Sequence, residues 1–501
     1  MNAHHVLDLP GGLNLSPPPK AGMDPSLHVM PIQSTYYLPL VNYQRDVLTP
    51  EVTVGDQVKG GDRIAPGVIS PTSGVIKDLS DHTWAHPSHT QIPTITLEAD
   101  GADEFLPLAN IDSSKHRAEN KLSRIERCAV HGLGGAAFST ATKIQRVLAH
   151  GTPTLIVNAV ECEPGIHCDD ALMQNRAIEI VQACNSLCSW LNLPSGLLAI
   201  ENDKSLAIDR LTRAMQQEKS PMRMIELSAV YPSGAESTLV QRLTGIHLTQ
   251  GQPAANVGVL CLNVATVLAI HQALKGYFSV DRILSITTQE LHQSVNVQAR
   301  FGTPIDAILK FASTLHPNIN QSLINNPHNV TVGGPLSGYP LPIDSAPLMA
   351  SSNALLVGEI PKKKDATACI RCTDCVSVCP VNLLPQELYS AASSNDLDTA
   401  QKYSLDTCIL CGCCDLVCPA NIPLTNWFRH AKDTLSQQRL NEKNALIAKK
   451  RSEQRTVREA QRAADKAKAD AQRREAAAQR KQSAQDIKDA LARVKNKRPS
   501  S

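Results

Sequence analysis

The sequence predicts a multidomain protein of α/β plus β architecture that ends in a helical tail, and three observations carry this prediction. Residues 31–100 contain short β-type segments separated by turns, whereas residues 117–283 alternate strand-like apolar runs with amphipathic helix-like runs. Eight of the 15 cysteines recur at a fixed spacing in two tight groups within residues 365–430. From about residue 436 the chain is rich in Ala, Gln, Lys, Arg and Glu and has no Gly, which favours helix.

Composition and charge agree with several domains. The chain has 501 residues, of which 42% are hydrophobic and only 3% aromatic, so its cores must depend on Leu, Ile, Val and Ala. Residues 431–501 carry 20 Lys and Arg against 9 Asp and Glu, a balance of +11, while the whole chain carries +2. The rest of the chain is therefore acidic and the tail basic. No nucleic-acid partner is predicted.

The cysteines and the apolar stretches indicate the compartment. Dense Cys-x-x-Cys spacing without an export signal favours metal binding over disulfides, and MNAHHVLDLPGG at the N-terminus has neither a basic nor an apolar signal region. The longest nearly apolar stretch, residues 257–270, is well short of the ~20 residues that a membrane-spanning helix needs. We expect a protein of a reducing compartment that is soluble or at most peripheral to a membrane.

The β-rich segment has the pattern of a barrel-sandwich module. The order V-x-V-G-D-x-V, G-D-x-I and P-T-S-G-x-I resembles the lipoyl- and biotinyl-type fold. A carrier domain of that type needs a lysine at its hairpin tip, and the tip here is Thr72-Ser73-Gly74. The prediction is therefore a structural module and not a prosthetic-group arm.

The most specific feature is a repeated cysteine run. CIRCTDCVSVCP at 369–380 and CILCGCCDLVCP at 408–419 both have the form C-x2-C-x2-C-x3-C-P, the signature of bacterial ferredoxins with two [4Fe–4S] clusters. In those proteins the fourth cysteine of each run ligates the other cluster. The predicted ligand sets are Cys369, Cys372, Cys375 and Cys418 for one cluster, and Cys408, Cys411, Cys414 and Cys379 for the other.

Two points qualify this prediction. A pair of zinc sites is the alternative, but zinc sites usually combine two C-x2-C halves with a longer spacer, and these runs are unbroken. Cys413 lies outside the ligand spacing, and it is predicted to be a small buried residue.

A glycine-rich turn precedes a predicted helix at His131–Thr140. Backbone N–H groups at a helix N-terminus favour an anion such as phosphate, but the run does not match G-x-G-x-x-G with a following acid. The residues alone leave open a phosphate site or a plain glycine turn. The motif NAVECEP at 158–164 follows a predicted buried strand, and polar residues at such strand ends often face a ligand in α/β folds.

Taken together, these motifs resemble the flavin- and NADH-binding subunit of respiratory complex I and, more closely, the C subunits of Rnf (Rsx) electron transport complexes. The resemblance covers about residues 10–432 and starts at GGLNLSPPPK. It is carried by GLGGAAFST, NAVECEP, YPSGAES, LNVAT, GGPLSG, CIRCTDCVSVCPVNLLPQELY and CILCGCCDLVCPANIPLTNWFRHAK.

The resemblance implies an order of domains. They are an N-terminal segment with a barrel-sandwich module (1–116), an FMN/NADH domain of α/β type (117–283), an SLBB-like β-grasp segment (284–350), a ferredoxin domain with two [4Fe–4S] clusters (361–432) and a basic helical or disordered tail (433–501).

The resemblance also implies cofactors and their sites. FMN is expected in a cradle of Gly132, Gly134, Gly135 and Ala136, with further contacts from Lys143, Asn158, Glu161, Asn263 and Thr266. NADH, as the substrate, is expected to meet the catalytic positions Phe138, Glu163 and Glu236. One departure stands out: the family usually has Gly-Ala-Gly-Phe-Pro-Thr where this chain has residues 135–140 as GAAFST. A Cβ at Ala137 would be strained if that position needs a positive φ.

Three functions remain to be separated. The resemblance implies a peripheral subunit of an ion-translocating complex on the cytoplasmic side of the cell inner membrane, with other subunits and a ferredoxin-type carrier as partners. A soluble flavin and iron–sulfur reductase, like the cobalamin reductase of bacterial microcompartments, is the alternative, although the segment preceding the flavin domain favours the first. A ferredoxin-like relay that has lost its flavin site is the third.

Overall fold

The computed structural model describes residues 6–15, 23–42, 46–111, 118–248, 251–288, 294–325, 330–341, 346–358 and 365–495. Residues 16–20 of the GGLNLSPPPK segment and the last six residues of the tail lie outside this described part. The chain forms two compact units, Met1–Arg429 and His430–Ser501. Within the described residues no helix combines the length and the apolar character that crossing a membrane requires.

The N-terminal module is a small β-sandwich. Its strands make an antiparallel sheet in the order β2-β7-β6-β3 and a separate hairpin of β4 and β5. The core between them holds Tyr36, Leu38, Ile64, Ile76 and Leu97, which confirms the predicted barrel-sandwich module. The strands are β2 (Thr35–Pro39), β3 (Gln57–Val58), β4 (Arg63–Ala65), β5 (Val68–Ile69), β6 (Gly74–Thr83) and β7 (Gln91–Ala99); β1 (Met23–Val29) precedes them in the chain and belongs to another sheet.

The hairpin tip of this module is buried. Thr72 and Ser73 are 0% and 3% exposed, and their hydroxyls donate to Asp103 (2.8 Å) and Asp100 (2.7 Å). Asp103 in turn accepts two hydrogen bonds from the guanidinium of Arg300, which also donates to the Pro71 carbonyl at 2.9 Å. A buried tip cannot act as a swinging arm, so its role is structural, as predicted.

The second domain is built on a parallel sheet in the order β10-β9-β8-β11. The predicted strands LIVNAV and GVLCLNVA are β8 and β11, and their ends coincide because Asn158 pairs with Asn263. The elements are α1 (Ala118–Arg127), α2 (Thr140–Leu148), β8 (Thr154–Ala159), α3 (Cys168–Trp190), β9 (Gly196–Glu201), α4 (Ser205–Gln217), β10 (Met222–Leu227), α5 (Glu236–Thr244), a 3-10 turn (Ala254–Val257), β11 (Val259–Asn263) and α6 (Val264–Lys275).

The third segment is a mixed sheet in the order β1-β13-β12-β16-β14-β15. An antiparallel hairpin is followed by two helices, and β16 returns parallel to β12 in the middle of the sheet, as in a β-grasp fold. The elements are β12 (Asp281–Thr288), β13 (Ser294–Arg300), α7 (Ile305–Leu315), α8 (Pro317–Asn325), β14 (Val330–Val332), β15 (Tyr339–Leu341) and β16 (Ala354–Val357). The N-terminal strand β1 extends this sheet by pairing in parallel with β13.

The cysteine-rich module consists of short helices joined by tight turns, and it continues into one long helix. From His430 onward this helix forms the second unit, in which the side chains from residue 441 to residue 493 are exposed. It is the predicted solvated helix. The elements are α9 (Asp374–Ser377), α10 (Pro385–Ser393), α11 (Leu397–Lys402), a 3-10 turn (Leu405–Thr407), α12 (Cys413–Leu416) and α13 (Leu424–Lys495).

The pair of Arg300 and Asp103 ties the β-sandwich to the third segment, and this gives a first prediction. The two side chains are 21% and 29% exposed and meet through two hydrogen bonds, a geometry stronger than that of a solvent-exposed pair. We expect Arg300→Ala to lower the free energy of urea unfolding by about 2 kcal/mol. Lys77→Ala is the control, because its pair with Glu98 is more than half exposed and its loss should lower the free energy of unfolding much less.

The effect of Arg300 should depend on pH. Its hydrogen bonds hold the pKa of Asp103 below the usual range, against the opposing effect of burial. A carboxyl group with a lowered folded-state pKa contributes stability above its unfolded pKa of about 3.9, and loses it as the pH falls through the folded value. The difference between the wild type and Arg300→Ala should therefore shrink below about pH 4. If Arg300→Ala and Lys77→Ala lower the free energy of unfolding equally at pH 7, the pair of Arg300 and Asp103 has no special role.

Candidate functional site

The two cysteine runs form two cavities, each lined by the first three predicted ligands of one run and the fourth of the other. The outer cysteine cavity is defined by Cys369, Cys372, Cys375 and Cys418. The inner cysteine cavity is defined by Cys379, Cys408, Cys411 and Cys414, and Cys413 lines it as well. The structure thus brings together both predicted cysteine sets in their crossed arrangement.

The two runs share one backbone conformation. The residue before the second cysteine in each run, Arg371 and Leu410, has a positive φ of 56° and 54°, and so has the residue after it, Thr373 at 69° and Gly412 at 80°. Such turns direct successive N–H groups to one side and make concavities that suit anionic groups. The other residues that line the cavities are mostly apolar, with Arg371, Thr373 and Gln386 in the outer cavity and Thr425 in the inner one as the polar exceptions besides cysteine. Four sulfurs around such a cavity are a donor set that fits an iron–sulfur cluster.

The glycine turn lies at the carboxyl edge of the parallel sheet. The N–H of Leu133 donates to Oγ1 of Thr266 at 2.8 Å, and the N–H of Gly132 closes the turn on the Phe138 carbonyl at 2.8 Å. A Cβ at Gly134 would lie 3.1 Å from the Cβ of Asn263, closer than almost all such contacts. Gly134 therefore packs closely against Asn263, and the turn lies beside two of the predicted flavin residues, Asn263 and Thr266.

Two residues of this turn have left-handed backbone conformations. Gly135 has a φ of 102°, and a Cβ there would meet nothing within 4 Å. Ala137 has a φ of 48°, so the position at which the sequence departs from the family pattern is one that favours glycine. The left-handed conformation costs a non-glycine residue about 1–2 kcal/mol. The open space at Gly135 fits a flavin phosphate, with a local strain at Ala137.

Other predicted flavin and nucleotide residues meet in pairs. The ammonium of Lys143 on α2 lies 2.5 Å from a carboxylate oxygen of Glu236, the first residue of α5. The guanidinium of Arg146, one turn further along α2, lies 5.3 Å from the ring centre of Phe138, within the range of cation–π attraction. The structure therefore brings Lys143 and Glu236 together and fixes Phe138 at the start of the same helix.

The two asparagines at the strand ends bind neighbouring groups of the protein. Asn158 donates from Nδ2 to the Gly234 carbonyl at 2.9 Å, and its Oδ1 accepts the N–H of Val160 at 3.1 Å. Asn263 donates to Asp169 at 2.6 Å, and its Oδ1 caps α6 by accepting the N–H of Ala265 at 2.9 Å. These bonds hold the carboxyl edge of the sheet to the turn at Gly234 and to the start of α3.

Glu161 is the most buried of the predicted acidic residues. It is 8% exposed, and its carboxylate accepts the N–H groups of Asp169 at 2.9 Å and Asp170 at 3.2 Å at the start of α3. Burial, with the charge of Asp169 as the next cause, raises the pKa of Glu161 to about 8. Glu161 therefore holds the helix start while carrying a proton over much of the neutral range.

Glu163 connects the flavin domain to the third segment. Its carboxylate accepts the N–H groups of Leu336 at 3.0 Å and Ser337 at 2.8 Å, and the Ser337 hydroxyl at 2.5 Å. The same turn reaches the cysteines, since a Cβ at Gly412 would lie 2.6 Å from the Leu336 carbonyl oxygen. Glu163 thus binds the turn that packs against Gly412 at the inner cysteine cavity.

Three residues that the sequence analysis did not assign complete the site. Arg282, 3% exposed, donates to the Leu133 carbonyl at 3.1 Å and also to the Ala350 carbonyl. Asp169 receives the hydrogen bond from Asn263, and the Tyr231 hydroxyl donates to the Cys411 carbonyl at 2.6 Å. The signal for Arg282 was a pair of charged residues, Asp281 and Arg282, at the start of strand β12. Tyr231 begins the YPSGAES motif, and Asp169 gave no separate signal.

The protonation of Glu161 leads to a second prediction. A carboxyl group whose folded pKa is raised binds its proton more tightly in the folded state, so stability falls as the pH rises from about 4.5 towards 8. Glu161→Gln retains an oxygen that can accept the N–H of Asp169 and cannot ionise. We expect its free energy of unfolding, relative to the wild type, to rise between pH 5 and pH 8 by at least about 1.4 kcal/mol, the equivalent of one pKa unit.

The measurement is urea unfolding at both pH values. Glu226→Gln, an exposed acid on β10, controls for the loss of one negative charge and should show no such trend. If the difference in unfolding free energy between Glu161→Gln and the wild type does not change with pH, the pKa of Glu161 is not raised.

Three protein-family models match the chain. The RnfC barrel sandwich hybrid domain matches residues 7–102, the Nuo51 FMN-binding domain matches residues 125–272, and the 4Fe-4S dicluster domain matches residues 368–422. The matched ranges coincide with the β-sandwich, the parallel-sheet domain and the cysteine-rich module. FMN and [4Fe–4S] clusters are therefore the cofactors of this chain.

Curated relatives cover nearly the whole chain. The C subunit of the ion-translocating oxidoreductase complex of Pseudomonas aeruginosa is 36% identical over 472 residues, which are 91% of this chain and 59% of that protein. The protein of the same name from Haemophilus influenzae is 35% identical over 91% of this chain and 70% of its own length. That from Salmonella arizonae is 35% identical over 90% of this chain and 68% of its own length. The chain thus spans less than two thirds of the Pseudomonas protein.

A solved structure gives a weaker likeness. A crystal structure of an NAD+-reducing [NiFe]-hydrogenase aligns with a TM-score of 0.42 and 15% identity, over 66% of this chain and 63% of that one; no argument rests on it. The identity and coverage of the curated relatives are decisive. On that ground the chain belongs to the family formed by the C subunits of ion-translocating oxidoreductase complexes.

Proposed function

We propose that this chain is a peripheral electron-transfer subunit of a membrane-bound ion-translocating complex. It would pass electrons from NADH, through FMN and two [4Fe–4S] clusters, to partner subunits or a ferredoxin-type carrier. The names of its relatives support membership of such a complex. A position on the cytoplasmic face of the inner membrane, held there by partner subunits, is part of the proposal.

One observation carries the proposal: the flavin domain is fastened directly to the inner cysteine cavity. Tyr231, in the turn before α5, donates to the carbonyl of Cys411 at 2.6 Å. The N-terminal segment reinforces this contact, because Leu13 exchanges two backbone hydrogen bonds with Tyr231 while the N–H of Gly12 donates to the Val378 carbonyl at 2.9 Å. A hydride-accepting domain and a cluster-binding module joined in this way are suited to direct electron transfer.

The two cavities differ in exposure to solvent, and this difference favours one direction of electron transfer through the chain. Cys369 and Cys372 of the outer cysteine cavity are exposed, and Ile370 between them is 68% exposed. The inner cysteine cavity is flanked by the flavin domain through Tyr231 and by the third segment through the turn at Leu336. Electrons would enter on the side of Cys411 and leave on the side of Cys369, where a partner can approach.

The site residues have the following proposed roles. The glycine turn with Lys143, Asn158, Glu161, Asn263 and Thr266 would hold FMN, which when bound accepts a hydride and releases electrons singly. Phe138, Glu163 and Glu236 would meet the nicotinamide nucleotide. The eight cysteines of the two cavities would ligate the clusters. Arg282, which binds the Leu133 carbonyl at 3.1 Å, would hold the glycine turn in place.

A second candidate function is an electron relay that does not oxidise NADH. The observation that favours it is Ala137, whose φ of 48° places a strained alanine in the turn that would meet the flavin or the nucleotide. The two functions differ in one measurable property. Only the first requires that NADH reduces the chain.

The crossed cysteine sets give a third prediction. We expect Cys418→Ala to abolish the cluster of the outer cavity, although Cys418 belongs to the second run, which contributes three ligands to the inner cavity. Likewise, we expect Cys379→Ala to abolish the cluster of the inner cavity, although Cys379 belongs to the first run. Each variant should lose about half of the iron, with loss of one of two signals in electron paramagnetic resonance of the reduced protein. Cys188→Ala, at a buried thiol of α3, is the control. Loss of the outer cluster in Cys379→Ala, with the inner one intact, would contradict the crossed arrangement.

The main experiment is an anaerobic titration of the full, cofactor-loaded chain with NADH, followed by visible absorbance. Bleaching of both the flavin and the broad iron–sulfur bands is expected, because hydride enters at FMN and electrons move on to the clusters. If dithionite bleaches the clusters while NADH does not, and no flavin can be extracted, the chain is a relay.

Glu163→Gln tests the nucleotide site within that titration. We expect NADH reduction to slow by at least about tenfold with iron content unchanged, as when one charged interaction of more than about 1.4 kcal/mol is lost. Ser337→Ala is the matched control, since it removes the donor of the 2.5 Å hydrogen bond to Glu163 and leaves the carboxylate itself unchanged. If Glu163→Gln and Ser337→Ala slow the reduction by NADH equally, Glu163 is a structural link and not a nucleotide contact.

A further inference from the structure

The long helix α13 carries its charges unevenly around its axis. Residues 451–473 of this helix contain seven Lys and Arg and four Asp and Glu. At 3.6 residues per turn, six of the seven basic side chains fall within about 80° of the helix circumference. These six, which we call the basic stripe, are Arg451, Arg455, Arg458, Arg462, Lys466 and Arg473.

The basic stripe excludes acidic residues. Its members follow one another at spacings of three or four residues, and the single longer step, from Lys466 to Arg473, passes over Ala469 on the same face. All four acidic residues of the segment lie off the stripe, with Glu459 and Asp465 at its two margins. The stripe carries +6, whereas the rest of the segment carries −3, so the helix is polarised across its axis.

The basic stripe faces solvent. All of its side chains are exposed. Arg455 meets Glu459 at 2.8 Å, but the two side chains are 77% and 60% exposed, and an ion pair of that kind contributes little in water. Arg458 donates from Nε to the Gln454 carbonyl of its own helix at 3.3 Å. Neither contact covers the stripe, so its charges are available to another surface.

The composition of the tail indicates which kind of surface this is. Residues 431–501 contain no Phe, Trp or Tyr, so the tail lacks the aromatic side chains on which single-stranded nucleic-acid bases stack. The exposed Val457 lies on the side of the helix opposite the stripe. The stripe, about 33 Å long at 1.5 Å per residue, therefore meets its partner through charge and not by inserting an apolar face.

We propose that the basic stripe docks this chain on an anionic lipid surface, where its Arg and Lys side chains contact the headgroup phosphates. Clusters of Lys and Arg on one face of a helix are suited to anionic lipids, and their attraction falls off within a Debye length of the surface. The proposal rests on the membrane position given under the proposed function. It adds a lipid contact made by this chain itself to the contacts with partner subunits.

The test is flotation of the full, cofactor-loaded chain with lipid vesicles. We expect binding to vesicles of phosphatidylcholine that contain phosphatidylglycerol, and not to vesicles of phosphatidylcholine alone. The binding should be lost between about 0.1 M and about 1 M salt, because the Debye length falls from about 10 Å to about 3 Å.

Two variants that lose the same charge separate the stripe from the net charge of the tail. The stripe variant combines Arg458→Gln, Arg462→Gln and Lys466→Gln. The control variant changes three exposed basic residues off the stripe, and combines Lys468→Gln, Arg474→Gln and Lys481→Gln. Gln has nearly the helix propensity of Arg and Lys, and circular dichroism checks that the helix is retained. We expect the affinity for the anionic vesicles to fall at least about tenfold in the stripe variant and less than about threefold in the control.

Three outcomes would overturn the proposal. They are equal weakening in both variants, equal binding to vesicles without phosphatidylglycerol, and no binding of the wild type to the anionic vesicles at low salt, which would leave the stripe to an acidic protein. Flotation does not depend on electron transfer. A chain that floats with the vesicles but is not reduced by NADH refutes the proposed electron route alone, and a chain that NADH reduces but that does not float refutes the lipid contact alone.

Discussion

The contact between the flavin domain and the inner cysteine loop is the constraint on which the rest of the structure depends. The Tyr231 hydroxyl of the flavin domain binds the Cys411 carbonyl at 2.6 Å, and beside it the Leu336 carbonyl of the third segment leaves no room for a side chain at residue 412. The contact between the two backbones at residues 336 and 412 cannot adjust by changing a rotamer. The segments on both sides must therefore hold their positions accurately, and the surrounding fold provides this.

Each of the other domains supports that contact. The N-terminal segment binds Tyr231 from one side and Val378 from the other. The third segment presents the Leu336 turn, which Glu163 fixes with three hydrogen bonds. The β-sandwich is anchored to the same segment by Arg300 and reaches the glycine turn through His131, whose Nε2 lies 2.8 Å from the Gly67 carbonyl. The domains therefore form one scaffold around the path of the electrons.

The sequence was informative where chemistry demands a fixed spacing. The eight cysteines and their crossed sets were predictable because ferredoxin loops require that spacing, and the strain at Ala137 followed from a change of one glycine in a family pattern. Glu163 was assigned to a nucleotide, and its present partners come from a turn 173 residues away. The partners of Arg282 and Tyr231, and the pairing of β1 with β13, also join segments distant in sequence. No local pattern encodes such contacts.

The crossed cysteines have a consequence for the biogenesis of the protein. A nascent chain that has emerged only as far as Cys379 presents three thiols of the outer cavity and one of the inner, and the missing member of the outer set is 39 residues further on, at Cys418. With the proposed ligand sets, neither metal centre could close until the second run has been synthesised and has packed against the first. Insertion of either cluster would then require a chain translated past residue 418, and a product truncated between the two runs would lack both centres.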